Sequence, residues 1–595
     1  MNASIFKVVS VTGDAVSIEI VDMEAFKTQA ASRFTIGAYL RVMDEEGDAI
    51  IAVVRSYRVR DPAPEVIEED QGAPLPRNPI FIVDAHVVGF VSAAGKFLRG
   101  GQHLSIPPTS VEVADDELLS SIYERIDTSA RFCFSSLAHH PEVEVPVNGN
   151  LFFGKHIAVV GATGSGKSCT VAALLQNGIE GSAEQRERGV LNNAHVVVFD
   201  LHGEYRTAFP ASRFAVHHFN AQNLILPFWL MNAEELESFF MDTEANDHNQ
   251  RAIFREAVLR NKAMHNPLLR KDVITYDAPV PFSIKEVLNY VRNWNLSREK
   301  GGVVTWEGKG AHAGSERTES EHADDLFQEG VKFAEGAGSK QSSRHGKFGN
   351  FVSRLQNKLS DARMNFMLGE NVAAEGPAGV YAKLLGFGAQ VEGGNANITV
   401  IDLSGVPFEV LTMVVSVLTR VVFDFCYYRK RYRPADAQEV PFLLVLEEAH
   451  NYVPRQGTGQ ESAARRAVER VAKEGRKYGL SLMIVTQRPS EVSTTIFSQC
   501  SNFVIMRLTN QADQTYVKSL LPDGVAGITD NLPVLGQREA IVLGDAVVMP
   551  SVVRVAEIED LPDSRDVRSL EEWRKDWADV QFGGLFRQVL PREEV

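Results

Sequence analysis

The sequence predicts an α/β protein: a parallel sheet with a glycine-rich loop at its centre, a small β-rich unit in front of it and a helical insertion within it. Three observations predict this. Residues 156–175, HIAVVGATGSGKSCTVAALL, read as strand, glycine loop and helix without a gap. Two apolar runs, at 194–205 and 442–450, end in polar and acidic groups, as strands do where a ligand lies beyond the carboxyl edge of a parallel sheet. The first 110 residues alternate short β-rich runs with turn residues such as Gly13-Asp14 and Glu46-Gly47-Asp48.

Taken in order, residues 1–110 are expected to form a small barrel or sandwich, with no catalytic constellation visible. Residues 111–150 read as a connector with one short helix. His139-His140 lies there without a third ligand nearby, so the reading is a surface loop rather than a metal site.

The core is expected at 151–225 and 396–555. Gly161-Ala162-Thr163-Gly164-Ser165-Gly166-Lys167-Ser168 fits G-x-x-x-x-G-K-[ST], and Cys169 continues into the helix. The glycines let the backbone wrap an anion, and N–H groups at the helix start point at it. Lys167 would reach the β- and γ-phosphates, and the Ser168 hydroxyl would sit on Mg²⁺. The stretch predicts binding of ATP or GTP. Asp200, His202 and Glu204, at the end of the next apolar run, are expected to face the nucleotide.

Residues 226–395 show apolar positions at helical spacing and are read as a helical insertion. Within it, 296–348 is polar and rich in Gly and Ser, and is expected to be a mobile loop or a disordered insertion. The core resumes at Asn397-Ile-Thr-Val-Ile-Asp-Leu403, followed by a long buried helix. The run Phe442-Leu-Leu-Val-Leu-Glu-Glu-Ala-His450 has the form of a Walker B strand. Glu447 would hold Mg²⁺ through water and Glu448 would act as general base. Gln487, ending the run from Leu482, could sense the γ-phosphate or orient water. Between them, 463–478 is a basic helix able to lend an arginine to a neighbouring subunit's site. In the tail, 556–595, Trp573 and Trp577 stand four apart and are expected on one face of a docking helix.

Composition bounds the function class. The net charge of −16 is unlike the basic footprint of a nucleic-acid binder, although an acidic exterior leaves room for a basic channel. Four scattered cysteines suggest a reducing compartment and no structural zinc. The start of the chain lacks the features of a signal peptide. Arg420 and Asp424 interrupt the longest apolar region, so it reads as a buried helix. A cytoplasmic protein without a membrane role is expected. No LSGGQ-like signature supports an ABC-type ATPase.

The motifs together resemble the HerA family of bacterial and archaeal ATPases, related to the FtsK translocases, and the chain reads as a bacterial member. The resemblance rests on GATGSGKS at 161–168, DLHGEY at 200–205, RLQNKLSDARMNF at 354–366 and IDLSGVP at 401–407. It continues through LEEAH at 446–450, KEGRKYG at 473–479 and VTQRPS at 485–490. It implies a RecA-like P-loop ATPase core with an N-terminal β-barrel, and a homo-hexameric ring around double-stranded DNA. ATP sites would lie between subunits, the tail would dock on the ring and the barrel would contact a partner. Lys167, Ser168, Glu447, Glu448 and Gln487 take the roles argued above. Arg476 is the first choice for the arginine acting in trans and Arg470 the second. The resemblance also brings Lys155, before His156, into the nucleotide-binding set. Lys155 and Lys473 stand where family members often carry arginine. The chain has no nuclease motif of its own, so a NurA-like nuclease or a sirtuin-like effector is implied, in DNA end processing or antiviral defence. The competing expectation is an ATP-gated scaffold that activates a partner with little translocation.

Overall fold

Seven parallel strands form one side of an eleven-stranded sheet, and their sequences explain why they sit there. HIAVV, HVVVFD, ITVID, FLLVL and LSLMIVT are nearly unbroken apolar runs, as strands covered on both faces require. The order across the sheet is Val216–Phe219, Ile398–Asp402, His195–Asp200, Phe442–Leu446, Leu480–Thr486, His156–Val160, Cys500–Met506, Glu539–Gly544, Ser551–Val555, Arg131–Leu137 and His140–Asn148. The first seven are parallel and the last four antiparallel. The structure, a computed structural model, describes residues 5–29, 34–60, 79–99, 110–180, 191–241, 248–308, 315–333, 335–369, 376–388, 394–456, 460–521, 526–564 and 567–579. Parts of the expected barrel (61–78, 100–109), of the polar loop (309–314) and of the tail (580–595) lie outside them.

The stretch 111–150 is more than a connector. After a helix at Asp116–Tyr123, two strands extend the large sheet at its antiparallel end. The alternation in EVEVPV is the period-2 signal of that edge. His140 belongs to the second strand, with Nδ1 2.6 Å from the Asp116 carboxylate.

In the N-terminal unit, seven strands form one antiparallel sheet whose path runs Phe6–Val11, Ala15–Ile20, Ile80–Val91, Ala49–Arg60, Tyr39–Met43 and Ser110–Val113, with Phe97–Leu98 paired to Ile80–Val91. Among the described residues no hydrogen-bonded pairing joins its first and last strands. Arg55 reaches Asp530 of the core, and Asp530 also takes Lys518.

The insertion contains the helices Ala233–Phe240, His248–His265, Ile284–Leu296 and Gly349–Leu359. The first begins with a capping box of Asn232 and Glu235. Glu235 also accepts from Ser416 and pairs at 2.7 Å with Arg420 of the long core helix Phe408–Tyr432, joining insertion to core. That helix is long and apolar enough to cross a membrane, but most of its apolar window is buried within the fold. The polar stretch 296–348 is not simply a loop. It holds five short strands, Arg298–Lys300, Val303–Glu307, Glu316–Thr318, Lys332–Phe333 and Ser339–Gln341, paired antiparallel. Trp306, Leu326 and Phe327 are buried beneath them, so a few large side chains supply a core in a segment of low average hydrophobicity.

The tail also departs from expectation. Among the described residues its helix spans Ser569–Trp573, and Trp577 lies beyond it, with the two tryptophans 81% and 93% exposed. A five-residue helix that buries none of its residues has little to extend it.

Candidate functional site

The phosphate loop leaves the carboxyl end of His156–Val160 near the middle of the sheet, and the helix Lys167–Ile179 follows. Gly164 and Gly166 adopt φ values of +73° and +96°, the left-handed region that glycine enters freely. Gly161 is required for space instead: a Cβ there would lie 2.6 Å from Ser165 Oγ and 2.8 Å from Met506 Cβ. The loop is pinned from below by Gly161 N–H to Thr486 O and Ala162 N–H to Arg507 O, at 3.3 and 2.7 Å. Thr163, Ser165, Ser168 and Cys169 complete the turn and the start of the helix. Gly166 caps that helix without a side-chain hydrogen bond, so its first N–H groups have no side-chain cap to compete with an anion. Burial pushes the Cys169 thiol above its ordinary value, with nearby Arg538 acting against the shift.

The acidic strand Phe442–Leu446 brings two carboxylates to the loop. Glu448 has a left-handed backbone, φ 45°. Its Oε1 lies 3.3 Å from Lys167 Nζ, and its Oε2 lies 3.2 Å from His450 Nδ1 and 3.4 Å from the donating Gln487 N–H. The same Nδ1 lies 3.1 Å from the Thr486 hydroxyl, which ties His450 to the neighbouring strand end. Burial alone would raise the Glu448 pKa, but His450 and Lys167 outweigh it and hold it below the ordinary value. Glu447 behaves oppositely. It is 2% exposed, and burial reinforced by Asp200, Glu204 and Glu448 raises its pKa well above normal.

Asp200 accepts from the N–H groups of Gly203, Glu204 and Tyr205 at 2.9, 3.1 and 2.9 Å, which folds DLHGEY into a turn beside Glu447. Asp200 and Glu204 therefore meet the acidic strand, whereas His202 is exposed. Gln487 comes in from the neighbouring strand Leu480–Thr486, its Oε1 accepting from Thr163 Oγ1 at 2.6 Å.

Three basic residues singled out by the sequence do not join them. Lys155 precedes His156–Val160 and pairs with Asp545 at 2.6 Å. Five strand residues, at ~3.3 Å each, separate it from the loop by about 17 Å, so it is not a nucleotide ligand of its own chain. Arg476 is exposed in the turn Gly475–Tyr478, at the amino end of Leu480–Thr486 and close enough to His156 to oppose its protonation. Arg470 stacks on Phe423 at 4.3 Å and lies 4.0 Å from Glu474. Two further residues meet the site with little sequence signal. His450 holds Glu448, and only its place in LEEAH marks it. Arg538, whose N–H donates to Ser165 O at 3.1 Å, carries no sequence signal.

The arrangement can hold a polyphosphate on Lys167 and the loop, polarise water at Glu448 and report on the terminal phosphate through Gln487. No group of three or more His, Cys, Asp or Glu side chains forms a cation cage among the described residues. The site still fits Mg²⁺, which binds through one or two carboxylates together with nucleotide phosphates. Glu447 Oε2 is buried without a partner and, with Ser168 Oγ, provides donors for it.

Comparison with known proteins bears on the same region. The family model for the central domain of the helicase HerA matches residues 132–422. A probable helicase of Methanocaldococcus jannaschii is 24% identical over 80% of this chain and 76% of its own length. The DNA double-strand break repair helicase HerA of Pyrococcus furiosus is 22% identical over 92% of this chain and 94% of its own. Among solved structures, VirB4 of Thermoanaerobacter pseudethanolicus aligns with a TM-score of 0.43 at 14% identity, covering 73% of this chain and 98% of that one.

Proposed function

We propose that this chain, which belongs to the HerA family of ATPases, is an ATP-driven translocase on double-stranded DNA. The observation that carries the reading is the convergence of Lys167, Glu448 and Gln487, from three strand ends, on one phosphate loop. Lys167 binds the β- and γ-phosphates, Glu448 takes the proton of the attacking water and Gln487 senses the γ-phosphate. Ser168 and Glu447 would hold Mg²⁺, which would supply charge neutralisation at the phosphates. Six copies form a ring around DNA, and Arg476 completes the site of the next copy. Its exposure at the sheet edge opposite its own loop supports that role. The N-terminal sheet, as a barrel, offers the face for a separate nuclease or sirtuin-like effector, placing the protein in DNA end processing or antiviral defence in the cytoplasm.

Triplex displacement with the parent and Glu448→Gln tests this. The parent displaces a third strand when given ATP. The variant still binds ATP but hydrolyses it ~10³-fold more slowly, within the usual range for loss of a general base. Normal hydrolysis by Glu448→Gln removes the base assignment. Hydrolysis by the parent without displacement replaces translocation with the ATP-gated scaffold, a reading the acidic net charge favours.

A further inference from the structure

Glu448 and Arg538 are the non-glycine residues with a left-handed backbone among the described ones, at φ 45° and 64°. Such conformations are uncommon for residues with a Cβ and cluster at functional sites. Glu448 lies on one side of the phosphate loop; Arg538 contacts the same loop where it enters the helix. Its N–H holds Ser165 O, and a Cβ on Gly166 would lie 3.5 Å from both its N and its Cγ. The side chain therefore starts against the last turn of the loop. Its guanidinium donates to Val555 O at 2.7 Å and pairs with Glu557, whose own side chain is 86% exposed. It is also near enough to Cys169, directly after Ser168, to favour that thiolate.

The N–H groups at this end of a phosphate loop cradle the α- and β-phosphates, while the lysine reaches the β- and γ-phosphates. We propose that Arg538 contacts the α-phosphate end of the bound nucleotide, exchanging the solvated Glu557 carboxylate for a phosphate. The exchange is chemically even, since a guanidinium fork fits either oxyanion. The inference rests on the nucleotide reading of the loop. It adds a contact common to ATP and ADP, unlike the γ-phosphate contact of Gln487. Arg538 is not needed to hold the C-terminal segment against the core. That segment has its own anchors in Gln176 to Asp560 O, Thr207 to Leu561 O and Asp563 N–H to Glu204 O.

The test is titration of the full chain with fluorescent ADP and ATP, comparing the parent with R538G. Glycine suits the left-handed backbone and keeps the N–H to Ser165, so only the side chain is lost. Both nucleotides are expected to bind about tenfold more weakly, the loss of one charge-assisted contact, with the nucleotide-free melting temperature held. R538K, which keeps the charge without the fork, is expected to fall between. If the parent binds both nucleotides and R538G matches it within about twofold, the Arg538 assignment fails and the nucleotide reading stands. If the parent binds neither, both fail.

Discussion

The two edges of the parallel sheet are built from the same strands and treat their polar groups in opposite ways. At the carboxyl edge, Glu447 Oε2 and Glu204 Oε2 are buried without partners, and Glu448 sits in a left-handed conformation. At the amino edge His156 is satisfied on both ring nitrogens, although His195 Nδ1 is buried without a partner. Leu482 N–H donates to His156 Nδ1 at 3.0 Å, so Nε2 carries the proton and donates to Ala472 O at 2.9 Å. Lys155 has Asp545. An unsatisfied buried carboxylate oxygen is costly unless something else fills it, so the carboxyl edge is prepared for a ligand. Arg476 is the exception on the amino edge: exposed, with no hydrogen bond or ion pair to its guanidinium among the described residues.

That exception gives the largest expected effect. If Arg476 serves the next copy's site, Arg476→Ala should lower ATP hydrolysis by ~10³-fold or more, as removal of an arginine finger does, with ATP affinity little changed. Mixing Arg476→Ala with Lys167→Ala chains should restore turnover, because some interfaces then combine an intact loop with an intact arginine. Mixed assemblies that form and stay inactive would place Arg476 outside the neighbour's site, and the amino edge would be structural throughout.

A smaller effect separates the edges by pH. Burial is the main cause that lowers the His156 pKa to about 4, and Arg476 adds to it against the Ala472 hydrogen bond. The unfolded chain takes up that proton near pH 6.5, whereas the folded chain refuses it until about pH 4. Stability should therefore be full above about pH 6.5 and fall as the pH drops toward 4, by on the order of 3 kcal/mol for this residue. His195, also lowered to about 4 by burial, adds in the same direction. Denaturant midpoints at pH 7, 6 and 5 should show a gentler slope for His156→Gln than for the parent; equal slopes would mean that His156 is not held neutral.

The carboxyl edge was the more legible one, for a physical reason. A phosphate cradle needs consecutive residues in fixed conformations, so 161–168 is a local signal. Apolar strands ending in Glu447, Glu448 and Gln487 announce themselves by burial and by the position of their polar ends. Arg538 is invisible by the same logic, because what matters is one backbone angle and a contact with Ser165 across hundreds of residues. The strands in 298–341 were hidden because Trp306 and Phe327 build a core that average polarity conceals. The alternation in EVEVPV is a local strand signal, short enough to be outweighed by the polar residues around it. Lys155 misled because a family resemblance transfers a residue type to a position, whereas the length of the following strand decides which edge that position occupies.

Lys155 therefore supplies the smallest and most discriminating expectation. It shares the amino edge with Arg476, and both are basic; the difference is that Lys155 already has an anion, Asp545, in its own chain. A partly exposed ion pair contributes only ~0–1 kcal/mol, so Lys155→Ala should lower the melting temperature slightly and leave nucleotide affinity and hydrolysis near the parent's. Charge alone would then not explain the Arg476 effect, since removing a neighbouring positive charge would do nothing comparable. Should Lys155→Ala lose hydrolysis as deeply as Arg476→Ala, the Asp545 pair must open on assembly. The amino edge would then act as a unit on the next copy, and satisfaction within one chain would no longer distinguish a structural edge from a working one.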